Sequence, residues 1–404
     1  MRAMSRSRFV RRCLALCFAT WLAFEGTHFV ANAWQLDEQW TKLIRKGITF
    51  YHFRIRLNTG PVHLFMIEVD PRAGYALHPV IANDRIGSLA PVDKLGKSVG
   101  AVAAINGGFF DTMKPNLPVG LIKINYETIF EQFLPRPVLG IDASGRLNFE
   151  TFYLHSFLYI PETQAQIPLN GYNRKRKYGE VVAFGSPYGD NTNTNEWGKE
   201  IVLRRISPAE PVPNVPNLLG EKYLVIGESD RATPIPKDGL VISLHSAAVK
   251  KFRNKLSQLY PGAEVEIRTS LPAGWEKFPH LLGGGPMIIK NGEIVLDYSK
   301  EKFSSRLNYP AARTAVGETF DGKAALIVVD KGDKDYSVGV TWEQLGILGR
   351  DLLNLKNLMG FDGGGSSSMF IENKLVNKPS GGIPRAVANI LAVVPLQKNQ
   401  TRKW

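Results

Sequence analysis

Three short segments in which an apolar run leads into glycines, two of them with an amide or carboxylate beside the glycines, could bind an anion. They are AVAAINGGFFD (101–111), LLGGGPMII (281–289) and MGFDGGGSSSMFI (359–371). In each, an apolar run leads into glycines, which permit positive φ angles and whose successive N–H groups can form an anion-binding nest. Any one of them alone is more simply a tight turn at a sheet edge. Together with Asn106, Asp111 and Asp362, the three indicate a site, although none has the spacing of a Walker loop or a dinucleotide fingerprint.

The elements that would position these segments are mainly strands. Asn291-Gly292 and Asp321-Gly322, each flanked by apolar runs, predict hairpins over 287–296 and 316–330. A longer turn predicts a third hairpin over 139–150. The sequence therefore predicts antiparallel pairing over much of its length.

Helices are fewer. Thr341 and Gln344 form a capping-box pattern and predict a helix with one apolar face made of Leu345, Leu348, Leu352 and Leu355. A second helix is predicted over 246–260, where Pro261-Gly262 would end it. Many strands with occasional helices favour an α+β fold, with mixed, mainly antiparallel sheets and a few flanking helices in a single large domain.

The first 33 residues predict export. Five arginines within 1–12, an apolar run over 13–24 and Ala31-Asn32-Ala33 follow the order of a secretory signal peptide. The apolar run is shorter than the roughly 20 residues that span a bilayer, so cleavage is favoured over membrane anchoring. We then expect a lead-in over 34–46, one domain over 47–396 and a tail over 397–404, located in the periplasm, the cell envelope or outside the cell. The Pro-rich stretch 207–220 is the best candidate for an internal loop or a domain boundary.

Charge and cysteine content limit the partners. Removal of residues 1–33 takes away five arginines and one glutamate, so the net charge falls from +13 to +9. This basic balance favours anionic substrates or cell-wall polymers. Nucleic acid is not expected as a partner, because export removes access and no binding motif is present. Both cysteines, Cys13 and Cys17, lie in the segment that cleavage would remove, so no disulfide is expected.

Five motifs, taken in order, resemble a known family. AAINGGFFD, LGGGPMIIKNGEIV, ARTAVG, GFDGGGSSSMF and PRAVANILAVV are similar in order and spacing to the motifs of the phosphodiester glycosidase family, and the resemblance extends over about residues 47–395. Two positions depart from that pattern. The sequence YPAARTAVG lacks the His-Pro that often precedes Arg-Thr in bacterial members, and Pro384 stands where an acidic residue often precedes the late arginine.

The resemblance implies hydrolysis of a sugar-1-phosphodiester or a related envelope or exopolysaccharide glycan. The bond between the anomeric carbon and the phosphodiester would break, releasing sugar and leaving a phosphomonoester. That chemistry needs neutralisation of the phosphate charge and a carboxylate for the oxocarbenium-like centre. We expect Asp362 first and Asp111 second as the carboxylate, and Arg313 and Arg385 as the phosphate ligands, with Arg174 third.

Further substrate contacts are expected from glycines and small polar residues beside these groups: Asn106, Gly107, Gly108, Arg174, Gly284, Gly285, Thr314, Gly363, Gly364, Ser366 and Asn389. We expect residues 101–111, 281–289, 311–317, 359–370 and 384–389 to converge in one cleft. Neither a cofactor nor a metal is implied.

Two other functions fit the same residues. A non-catalytic envelope protein that binds anionic polysaccharide would use the glycines and arginines without needing Asp362 as a base. A metal-dependent hydrolase could be built on Asp111, Asp330 and Asp362, although Asp330 is equally typical of a turn. The metal hypothesis ranks last, because the six histidines beyond residue 33 form no pair with metal-binding spacing.

The signal-peptide pattern predicts that the mature protein begins at or near Trp34 and lies outside the cytoplasm. N-terminal sequencing of the protein from fractionated cells tests this. A soluble cytoplasmic pool with residues 2–30 intact would contradict it.

Overall fold

Four β-sheets dominate the computed structural model, which describes residues 34–113, 115–131, 134–304 and 307–396. In chain order, the strands of this part of the chain are β1 (Trp34–Arg45), β2 (Ile48–Leu57), β3 (Gly60–Val69), β4 (Tyr75–Ile81), β5 (Ala103–Asn106), β6 (Ile122–Ile124), β7 (Glu127–Phe130), β8 (Arg136–Ile141), β9 (Leu147–Phe152), β10 (His155–Ile160), β11 (Ala165–Pro168), β12 (Gly171–Tyr172), β13 (Val181–Gly185), β14 (Gly198–Arg205), β15 (Glu210–Pro211), β16 (Leu218–Ser229), β17 (Gly239–His245), β18 (Glu264–Ser270), β19 (His280–Gly283), β20 (Met287–Lys290), β21 (Glu293–Ile294), β22 (Arg313–Thr319), β23 (Ala324–Val329), β24 (Leu355–Gly360), β25 (Met369–Ile371), β26 (Lys374–Leu375) and β27 (Asn389–Pro395).

The helices of the same residues are short. The α-helices are α1 (Val92–Ser98), α2 (Ser246–Lys251), α3 (Arg253–Leu256) and α4 (Trp342–Asp351). Single 3-10 turns occur at Pro71–Ala73, Ala82–Asp84 and Gly364–Ser366. No helix in the described ranges is long and apolar enough to cross a membrane.

The strands pair almost entirely with antiparallel neighbours. An eight-stranded sheet has the order β1-β2-β3-β23-β22-β24-β20-β21, and a nine-stranded sheet has the order β11-β10-β18-β16-β14-β17-β13-β12, with β15 beside β16. Two five-stranded sheets have the orders β7-β6-β19-β8-β9 and β26-β25-β5-β27-β4. Among the described strands, only β12 and β13 pair in parallel. The expected predominance of antiparallel pairing is confirmed, but the α+β expectation gives helices too much weight, because the fold is mostly β.

The predicted hairpins are confirmed. β20 and β21 are joined at Asn291 and Gly292, which both have positive φ (52° and 87°), as the favoured two-residue hairpin turn requires. β22 pairs with β23 and β8 pairs with β9, as the other two patterns predict. Residues 34–45, expected as a lead-in, instead form β1 along the edge of the eight-stranded sheet. The Pro-rich stretch 207–220 joins β14 to β16 within the nine-stranded sheet.

The two predicted helices are shorter than expected. α4 has the predicted capping box at Thr341 and Gln344, but it ends at Asp351. Leu355, expected on the helix face, begins β24, because pairing with β22 and β20 overrides local helix propensity there. The helix predicted over 246–260 divides into α2 and α3, because Phe252 departs from helical geometry at φ −105° and ψ 16°.

Two of the six hydrophobic core clusters in the described residues show how the sheets pack. Inward-facing side chains of the eight-stranded sheet and of both five-stranded sheets form one shared core, with Ile67, Ile105, Leu139 and Leu326 fully buried. The nine-stranded sheet packs against α2 and α3 through Ala248 and Phe252 and forms a second core. Three sheets therefore meet around a single core, so loops at their strand ends can lie side by side.

Candidate functional site

The three glycine segments converge where those three sheets meet. β5 runs into Gly107-Gly108, β19 into Gly284-Gly285, and β24 into the 361–368 turn. The N–H of Asp362 donates to the carbonyl oxygen of Gly107 (3.1 Å), and that of Gly285 donates to the carbonyl oxygen of Gly360 (2.7 Å). The expected convergence of these segments is confirmed.

Close approach of backbone to backbone explains two of the glycines. A Cβ at Gly108 would lie 2.3 Å from the carbonyl oxygen of Gly283, and one at Gly284 would lie 2.6 Å from that of Gly360. Neither position can hold a larger residue without displacing a strand. These glycines therefore bring the sheets together, in addition to any contact they make with a ligand.

Asn106 joins the converging loops. It is fully buried, and its Nδ2 donates to the carbonyl oxygen of Asp362 (2.6 Å). Its Oδ1 accepts hydrogen bonds from the Thr314 hydroxyl (2.8 Å) and the Ser368 N–H (3.1 Å). The amide thereby connects β5, β22 and the turn that carries Asp362.

Asn389 has a similar position at the start of β27. Its Oδ1 accepts a hydrogen bond from the N–H of Gly108 (2.8 Å). Asn106, Thr314 and Asn389 are all buried and bonded to protein groups. We therefore revise their expected role from substrate contact to positioning.

The Asp362 carboxylate lies in a poorly solvated position among these converging loops. Burial raises the pKa of the Asp362 carboxyl to about 6, while the Ser366 hydroxyl, the Arg385 guanidinium and the N–H of Gly363 act in the opposite direction. The carboxyl is thus ionised at neutral pH but protonates in mild acid. A poorly solvated carboxylate with a nearby cation is suited to act as a base or a nucleophile.

Arg385 is the cation placed beside this turn. A Cβ at Gly365 would lie 2.7 Å from Nη2 and 2.8 Å from Cζ of Arg385, so the guanidinium lies against the Gly365 backbone. The side chain is exposed and forms no ion pair with a carboxylate in the described residues. Its planar fork is therefore available to an anion that binds next to Asp362.

Arg313, unlike Arg385, is buried and bonded to backbone carbonyl groups. It is 5% exposed, and its Nε donates to the carbonyl oxygen of Val340 (3.0 Å). Its Nη2 donates to the carbonyl oxygens of Leu307 (3.0 Å) and Tyr309. The guanidinium also lies over the Trp342 ring, with Cζ 4.2 Å from the centroid. Although its Cδ lies near Gly363, this fork mainly organises backbone, so the expected role in phosphate binding is revised to positioning.

Two other sequence-based candidates make contacts that do not involve Asp362. Asp111 is exposed, and its Oδ1 accepts a hydrogen bond from the N–H of Met113 (2.8 Å), which makes it a turn residue. Arg174 forms a bidentate pair with Glu180 (2.7 and 3.0 Å) and lines a cleft that does not have Asp362 among its lining residues. Both assignments are corrected accordingly.

Sequence reasoning missed two groups near the site. Glu301 is 4% exposed, accepts a hydrogen bond from the N–H of Met287 (3.1 Å), and has a pKa raised to about 7 by burial. The surrounding sequence YSKEKF is typical of a solvated charged run, so it gave no indication that Glu301 is buried. The second group is Asn377, which donates to Asp330 (2.8 Å) and to the carbonyl oxygen of Ser367 (3.2 Å), supporting the turn from behind.

A metal site was one of the hypotheses. Within the described residues, no group of three or more His, Cys, Asp or Glu side chains is placed to hold a metal ion. Asp330 is instead buried and bonded to Tyr336, Asn377 and the N–H of Lys378. Asp111 and Asp330 therefore make separate local contacts.

Comparison with known sequences supports the family resemblance. Residues 220–394 match the model of the phosphodiester glycosidase family. This range includes four of the five motifs and leaves out the segment 101–111. No curated protein matched the chain.

Solved structures share the fold. A hypothetical protein of Synechocystis matches at 21% identity over 88% of this chain and 63% of that chain, with a TM-score of 0.71. A Burkholderia pseudomallei protein described as exported matches at 16% identity over 89% of this chain and 97% of that chain, with a TM-score of 0.68. The zebrafish N-acetylglucosamine-1-phosphodiester α-N-acetylglucosaminidase catalytic domain matches at 15% identity over 91% and 85%, with a TM-score of 0.44. At these identities the first two bear on the fold alone, and the third is too distant to support an argument.

The raised pKa of Asp362 predicts a pH-dependent effect on stability. Between the ordinary aspartate pKa of 3.8 and the folded value of about 6, the folded state binds more protons, so this group makes stability fall as pH rises through that window. At pH 7 the ionised carboxylate then costs at most roughly 3 kcal/mol. We expect Asp362→Asn to raise the Tm at pH 7 and to lose that advantage below pH 4.

Thermal unfolding at pH 3.5, 5, 6 and 7 measures this effect. Asp333→Asn, which changes an exposed aspartate, is the matched control and should shift the Tm little at any pH. A Tm for Asp362→Asn equal to or below that of the parent at pH 7 would contradict a destabilising, poorly solvated carboxylate.

Proposed function

We propose that this chain hydrolyses the glycosidic bond of a sugar-1-phosphodiester, because residues 220–394 match the phosphodiester glycosidase family model. The product would be a free sugar, and the phosphate would remain on its carrier as a monoester. The observation that carries the proposal is a poorly solvated carboxylate, Asp362, on a glycine-rich turn against which an exposed guanidinium, Arg385, is packed.

Each of these groups meets one need of the reaction. As the C1–O bond breaks, positive charge develops on the anomeric carbon and negative charge on the departing phosphate. Asp362, ionised above its pKa of about 6, can activate water or attack C1 directly. Arg385 can bind the departing phosphate through two parallel N–H donors.

The leaving group also explains why a strong general acid is not essential. A phosphate monoester has its second pKa near 6, so it departs far more readily than an alcohol. Neutralisation of its charge by Arg385 then stabilises the transition state. We also propose that the protein acts outside the cytoplasm, as its N-terminal segment suggests.

The proposal is tested with purified protein and a panel of sugar 1-phosphates esterified to methanol, with release of reducing sugar as the measurement. We expect turnover of at least one member, with kcat/KM falling below about pH 6 as Asp362 protonates. Asp362→Asn should abolish turnover while substrate binding persists. Equal turnover in both proteins would contradict the catalytic role of Asp362, and binding without turnover in the parent would favour the polysaccharide-binding alternative.

A second measurement distinguishes the expected roles of Arg385 and Arg313. Arg385→Lys replaces a planar fork by a point charge, so kcat should fall about 10-fold, on the order of 1.4 kcal/mol of transition-state stabilisation. Arg313→Lys loses bonds to three backbone carbonyls, so it should lower the Tm more than Arg385→Lys does. If instead Arg313→Lys unfolds at the parental Tm and loses more kcat than Arg385→Lys, the assigned roles are reversed.

A further inference from the structure

A second cleft opens beside the edge of the nine-stranded sheet. Its volume is about 780 Å³, and it is lined by residues around β10 and β11, the loop that carries Arg174, and α3. None of the residues of the Asp362 turn lines it. Proposed catalysis at Asp362 therefore leaves this cleft without a role.

Aromatic rings line the floor of the cleft. His155 and Phe157 lie on the outward face of β10, where the alternating Ser156 and Leu158 point into the core. Tyr153 is 41% exposed and meets the His155 ring edge-on, with centroids 4.6 Å apart. Partly exposed rings in a concave surface offer an apolar face next to polar groups. The C–H face of a pyranose ring fits such a surface.

Polar groups complete the cleft. Glu131 is 5% exposed, and its Oε2 has no hydrogen-bond partner among the described residues. Burial raises the pKa of Glu131 to about 8, so at neutral pH this carboxyl is largely protonated and can donate as well as accept a hydrogen bond. Because Glu131 lines the cleft, we count its carboxyl among the polar groups that a hydroxyl-rich ligand meets there.

Cations lie around the same cleft. Arg174 is fixed by its bidentate pair with Glu180, and Lys255 reaches across to the carbonyl oxygen of Gln166 (2.7 Å). Both line the cleft together with Lys177. A neutral acid, aromatic rings and fixed cations suit a hydroxyl-rich ligand better than a purely apolar one.

The sheet register places the cleft close to the proposed catalytic site. Phe130, the residue before Glu131, pairs with Ile122, which in turn pairs with Leu282. Glu131 therefore lies level with Gly283, two strand spacings away, or about 10 Å. The Gly283 carbonyl contacts the Gly108 backbone of the converged loops. One residue that lines the cleft is therefore only two strands away from the loops that converge at Asp362.

We propose that this cleft binds the saccharide chain to which the scissile sugar 1-phosphate is attached. The link between this cleft and catalysis rests on the proposed function. Binding of a saccharide in the cleft does not depend on that function. The cleft would then act as a specificity site, favouring phosphodiesters whose carrier is a sugar chain over those whose carrier is a small alcohol.

Two measurements test it with the mature protein. Isothermal titration calorimetry measures binding of maltopentaose and of chitopentaose, which needs no turnover. Kinetics then compare one sugar 1-phosphate esterified to methanol with the same sugar 1-phosphate esterified to the better-bound pentasaccharide. The variants are Phe157→Ala and Lys255→Ala. The control is Lys251→Ala, an exposed lysine close in sequence that does not line the cleft.

We expect one pentasaccharide to bind the parent and the control, with Kd raised at least 10-fold in both cleft variants. In the kinetic assay, the KM of the pentasaccharide ester should rise by a similar factor, with kcat and the methyl ester unaffected. If neither pentasaccharide binds the parent, the proposal is overturned, whether or not the enzyme turns over methyl esters. If a pentasaccharide binds but its ester has the kcat/KM of the methyl ester, the cleft does not serve the substrate chain and the proposal also fails.

Discussion

The architecture of the site depends on one buried amide. Asn106 donates to the backbone carbonyl of Asp362 and accepts from Thr314 and Ser368, so three chain segments distant in sequence share a single side chain. Asn106, Thr314 and Ser368 are fully buried, so removing the amide would leave buried polar groups unsatisfied where water cannot replace the lost bonds. The position of the carboxylate relative to Arg385 follows from this arrangement.

The same packing that fixes Asp362 also makes its charge costly. Three sheets share one core, and their loops shield the half-buried carboxyl from much of the solvent, which raises its pKa to about 6. Arg385 compensates only in part, since it is exposed and forms no close ion pair within the described residues. Stability is thereby lost at a position where a reactive carboxylate is useful, a common feature of functional sites.

Local patterns in the sequence predicted many of the turns and helix ends that position the site. The Asn291-Gly292 turn, the capping box at Thr341 and the convergence of the glycine segments were all accessible, because each has a short-range physical signature. The division of roles between Arg313 and Arg385 was not accessible, since both are arginines beside similar motifs and only the fold decides which fork faces backbone carbonyls. The end of α4 was missed for a related reason, as strand pairing at Leu355 is a long-range effect.

The central claim is that the chain breaks the bond between the anomeric carbon and oxygen, with Asp362 acting on carbon. Hydrolysis of a sugar-1-phosphodiester in water enriched in oxygen-18 tests this most directly, with mass spectrometry of both products. Attack at carbon predicts that the label enters the anomeric hydroxyl of the sugar and that the phosphomonoester carries none. Label in the phosphate instead would show cleavage of the phosphorus–oxygen bond and would contradict the account.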